Sequence, residues 1–126
     1  MIMDVTIGWQ DEAKMILRLN CSGRWCWRDL DERMDQWLNL RSHLNSRFCI
    51  LVDLRKVTDI PNDAILHLKP AVQFAQEEDV RVVVVAVSAT AVTMFKLFVT
   101  MYKSTASKFQ LASTEEEALA LLTCTV

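Results

Sequence analysis

Val80-Arg81-Val82-Val83-Val84-Val85-Ala86-Val87, running into Ser88-Ala89-Thr90, is the stretch that decides the fold. Four consecutive valines are β-branched and leave no polar position for a solvent-facing side. A strand of this kind is buried on both faces, as in a parallel sheet covered by helices. Ser88-Ala89-Thr90 supplies a hydroxyl cap, and an apolar helix is expected from there to about Thr105.

Working outward, the pattern repeats. Phe48 to Leu54 (Phe-Cys-Ile-Leu-Val-Asp-Leu) is a second short apolar run, read as a central strand with Asp53 near its C-terminal end. A helix is expected from the Asp59-Ile60-Pro61-Asn62-Asp63 stretch to about Glu78, with Asn62 or Asp63 as its cap and a kink at Pro70. Upstream, Trp27, Leu30, Met34, Trp37, Leu38 and Leu44 recur at helical spacing over 28–44. Met3 to Trp9 and Ala13 to Cys21 each alternate with period two, as the strands of a hairpin, and Ser22-Gly23 breaks the second. In that second strand Met15, Leu17, Leu19 and Cys21 face in, against Lys14, Ile16, Arg18 and Asn20. Downstream, Lys108 to Leu111 forms a short strand. Ser113-Thr114 with Glu116-Glu117 forms a capping box before a last helix over 115–122. The order is β-β-α-β-α-β-α-β-α. It implies an α/β fold, with a mainly parallel sheet of about five strands and four helices, in a single domain over 1–126.

Composition narrows the function. The 126 residues carry a net charge of -2 and no basic stripe, so nothing points to nucleic acid. Two glycines cannot build a phosphate cradle, and no GxGxxG, GxxxxGK[ST], GxSxG or HExxH occurs. The four cysteines, at 21, 26, 49 and 124, form no CxxC pair, so they read as reduced, small hydrophobes rather than metal ligands. His43 and His67 have no nucleophile at motif spacing. No cofactor, metal or catalytic residue is implied. The start Met-Ile-Met-Asp has no signal-peptide pattern, and the most apolar window, Val82 to Phe95, is shorter than the roughly 20 residues a span needs. A cytoplasmic location is expected.

Three places draw attention as binding sites. Asp53, Asp59 and Asp63 gather carboxylates near the C-terminal edge of the sheet, where open α/β sheets place their sites. They could hold Mg²⁺, but helix capping and loop hydrogen bonds are the simpler roles. On the 90–105 helix, the polar residues Thr93, Lys96, Thr100, Lys103, Ser104 and Ser107 fall in one arc of about 100°. The remainder is apolar, more than packing on a sheet requires. Phe95, Phe98, Met101 and Tyr102 are therefore candidates for a dimer interface, a partner groove or an apolar-ligand pocket, although contact with a neighbouring helix would also account for them. Trp25 and Trp27, flanking Cys26, either line a pocket or close one end of the core.

The segment order, together with Gly23-Arg24-Trp25, Leu51-Val52-Asp53-Leu54, the Val57-to-Asp63 loop, the valine strand and Ser113-Thr114-Glu115-Glu116-Glu117-Ala118-Leu119, resembles the STAS and SpoIIAA-like superfamily. Ile60-Pro61 and Trp25-Cys26-Trp27 make it closer to uncharacterised SpoIIAA-like proteins than to the phosphoswitch antagonists. The resemblance implies a non-enzymatic bacterial module that binds a protein partner, such as an anti-sigma-type regulator, through Asp53, Asp59, Asn62 and Asp63. Switch-type antagonists carry a phosphorylatable serine at the start of the helix. Here Pro61-Asn62-Asp63-Ala64 has no hydroxyl, so phosphorylation is not expected there, and Asp63 serves as a fixed charge or a helix cap. The alternative is binding of an apolar small molecule, lipid or membrane surface through the 90–105 helix, and a homodimer would use the same face.

Overall fold

The fold comes from a computed structural model, which describes residues 4–11, 15–26, 28–33, 36, 49–58, 60, 80–103 and 106–122. One sheet holds five strands in sequential order: β1 (Asp4–Asp11), β2 (Ile16–Arg24), β3 (Cys49–Thr58), β4 (Arg81–Val85) and β5 (Phe109–Ala112). β1 pairs antiparallel with β2 as the expected hairpin, and every later pairing is parallel. The sheet is therefore mixed, parallel except at its first edge. Helical residues 28–33 (α1) follow β2; α2 (Ala89–Met101) and α3 (Glu115–Leu122) flank β5. These are the three α-helical segments among the described residues, and a 3-10 turn over Ala106–Lys108 leads into β5. The helix expected from Asp59 to Glu78 lies outside them, as do Trp27, Asp59, Asn62, Asp63 and Cys124.

Both sheet faces are buried, as the valine run requires. On one face Ile16, Leu51, Val83, Val85 and Ala112 pack against Ala118 and Leu122 of α3. The opposite face carries Val5, Leu19, Cys21 and Val57 against Trp25 and Leu30. The same face continues through Leu17, Val80 and Val82, with Trp9, Ile50 and Phe109 against them. Ile16 corrects the alternation inferred for β2. It lies on the side assigned to solvent, yet it is buried, because α3 covers that side.

Strand ends differ from the sequence reading where local patterning is weakest. Ser22-Gly23 does not end β2. Gly23 takes φ 83°, open to glycine without strain, and the strand continues to Arg24. β3 likewise runs on to Thr58 instead of stopping at Leu54, because its extension pairs with that end of β2. The register slips between Asn20 and Ser22. Asn20 faces Asp53 but Ser22 faces Lys56, so Cys21 alone opposes Leu54 and Arg55, a β-bulge.

The helix caps follow from sequence. The Ser88 hydroxyl accepts from the Ala91 N–H at 3.1 Å, and the Thr114 hydroxyl accepts from the Glu117 N–H at 3.1 Å. Glu117 Oε2 reaches back to the Ser113 N–H at 3.4 Å, closing the box.

Burial sets the stability expectation. Leu51→Ala, at a fully buried position in the middle of the sheet, should cost about 2–5 kcal/mol, while Leu97→Ala on the exposed face of α2 should cost less than about 0.5 kcal/mol. Urea denaturation midpoints of the two variants check this.

Candidate functional site

Asp53 is the buried charged residue among the described residues, 8 % exposed, and it sits where β4 ends beside β3. The sequence reading placed it at the C-terminal end of its strand. That holds for the β3–β4 ladder only, since β3 goes on five residues along β2. The bulge immediately after Asp53 lets its carboxylate fold over its own backbone: Oδ1 accepts from the Arg55 N–H at 3.0 Å. The Arg55 guanidinium closes on the same carboxylate as a fork, with Nε donating to Oδ1 at 3.0 Å and Nη2 to Oδ2 at 2.8 Å. Arg18, from the neighbouring strand, adds Nη2 to Oδ2 at 2.9 Å.

Arg18 extends the network across the α3 face. Its Nε donates to Asn20 Oδ1 at 2.7 Å and its Nη1 to Gln10 Oε1 at 2.9 Å. Nη1 also pairs with Glu115, the first residue of α3, and Arg55 Nη2 stands 3.8 Å from that same Glu115 oxygen. Acids suit a helix N-terminus, so Glu115 is favoured there by the helix dipole as well. The cluster joins β1, β2, β3 and α3 with two guanidiniums and two carboxylates.

The electrostatics follow. The Arg55 side-chain hydrogen bonds hold the Asp53 carboxyl down to about 2; burial opposes them, and the Arg55 N–H and the Arg55 and Arg18 charges reinforce them. The same carboxylate raises the Arg55 guanidinium. Cys21, on the other side of the bulge, is pushed up to about 12, first by burial and then by the Asp53 charge. Asp53 is thus ionised and surrounded by donors at neutral pH, poorly suited to take a proton, and Cys21 is a protonated thiol with little nucleophilicity. Both Asp53 oxygens face guanidinium groups, which would repel a metal cation. Among the described residues no group of three or more His, Cys, Asp or Glu side chains comes together.

The other candidates lie elsewhere. Trp25 is half-buried and packs with Val5, Leu19, Cys21 and Val57 on the face opposite α3, and its backbone N–H donates to Thr58 O at 3.1 Å. Phe98 is 4 % exposed and meets Phe109 edge-on at 4.9 Å, with Tyr102 at 5.3 Å and Phe95 at 6.0 Å. Phe98 therefore anchors α2 to the sheet. Phe95 and Tyr102 are half-buried, and Met101 is 53 % exposed. Asp53, Trp25 and the α2 residues do not converge on one cleft among the described residues. Leu97, at 49 % exposure, is an exposed neighbour of Met101 that the sequence reading left out of the patch. Its i,i+4 spacing from Met101 was the available signal. Arg18 and Arg55 were missed as well. Their signals were an arginine inside an apolar strand and an Asp-Leu-Arg step that returns to Asp53.

No protein-family profile matches the chain, and no curated protein matches it. Among solved structures, the chain is similar to an uncharacterised DUF3478-family protein with a SpoIIAA-like fold from Shewanella loihica PV-4. Sequence identity is 14 %, the TM-score is 0.68, and the match covers 95 % of this chain and 93 % of the other. At that identity the likeness shows a SpoIIAA-like fold and nothing about activity. No helix among the described residues is long and apolar enough to cross a membrane.

The Asp53 pairing predicts an acid-sensitive component of stability. Its folded pKa lies below the ordinary 3.8, so the stabilisation is full above about pH 4 and is lost as pH falls through about 2. Its size should be about 2 kcal/mol. Asp53→Asn should remove that component from stability curves taken between pH 5 and 2, and should cost about 2–3 kcal/mol at pH 7. In the folded wild type, Cys21 should stay unmodified by iodoacetamide at pH 8 and react only on unfolding, as mass spectrometry would read.

Proposed function

We propose that this chain is a non-enzymatic protein-interaction module whose recognition face is the solvent side of α2. The exposure of Leu97 and Met101 carries this reading. Both are large apolar residues one helical turn apart, on an exposed flank of α2 roughly 60–100° round the helix from buried Phe98. Two neighbouring apolar side chains left in water support a contact surface there. The polar chemistry supports the same view: Asp53, Arg18, Arg55 and Glu115 are engaged with one another, and the buried thiol is held protonated. The SpoIIAA-like fold fits a module of this kind, though fold alone does not assign function. Regulation through a serine at the 61–64 stretch is not part of the proposal, since Pro61-Asn62-Asp63-Ala64 contains no hydroxyl.

A photo-crosslinking amino acid in place of Leu97, used in the native cells, tests it. A defined protein should be captured from position 97 and not from exposed Gln36, and Met101→Asp should abolish the capture without shifting the melting temperature. Equal labelling from both positions, or none, would sink the proposal.

A further inference from the structure

We draw no further inference here: the strongest candidate, the exposed apolar flank of α2 at Leu97 and Met101, carries nothing beyond the reading above, because nothing in the structure shows what covers it.

Discussion

A charge buried in a sheet that is covered on both faces has to be neutralised where it lies. Asp53 meets that constraint with four donors from two arginines, and the arrangement shapes much around it. The bulge after Asp53 brings the Arg55 N–H back to the carboxylate. Arg18 has to come from the neighbouring strand, and Glu115 has to balance the second guanidinium, which places the first turn of α3 directly over the sheet. A buried ion pair of this kind contributes little net stability compared with an apolar replacement, but removing one partner is costly. Its value here is to join β2, β3 and α3 in one arrangement.

That pairing also bears on function. Polar side chains that satisfy one another have little capacity left for chemistry, and a carboxylate held near 2 beside a thiol held near 12 is a poor acid–base pair at neutral pH. Attention moves to the outside of the molecule. There Phe98 fastens α2 to Phe109, while Leu97 and Met101 on its flank stay in water. Burial of one side holds the other still, which lowers the ordering cost that a partner would otherwise bear.

How far this was legible in the sequence depended on how local each signal was. The valine run, the hairpin alternation and the Thr114–Glu117 box are encoded within a few neighbouring residues, and all appear near their expected places. Mixed sheet direction, parallel after one antiparallel hairpin, followed from the alternation of strands and helices. The length of β3 was not legible, because Arg55-Lys56-Val57-Thr58 falls out of step with the strand before it. Ile16 was misassigned because alternation assumes one wet face, and only tertiary structure reveals that α3 covers it. The Asp53 cluster depends on contacts between residues as far apart as Arg18 and Glu115, which no short window records. The over-apolar character of the 90–105 helix was visible, but not which residues stay outside: Phe98 went in, while Phe95, of the same type, stays half-buried.

The bulge opposite Cys21 has one further meaning. Up to Asp53, odd-numbered β3 residues face α3; beyond Arg55 the phase is inverted, so that Val57 turns to the opposite face among Val5, Leu19 and Cys21. The extra residue works as a frame shift written into the backbone. It lets one strand serve a polar cluster on one side of the sheet and then an apolar core on the other. Flatten the bulge while keeping both Leu54 and Arg55, and the same letters would read out of frame, with Lys56 and Thr58 turned toward that apolar core and Val57 away from it.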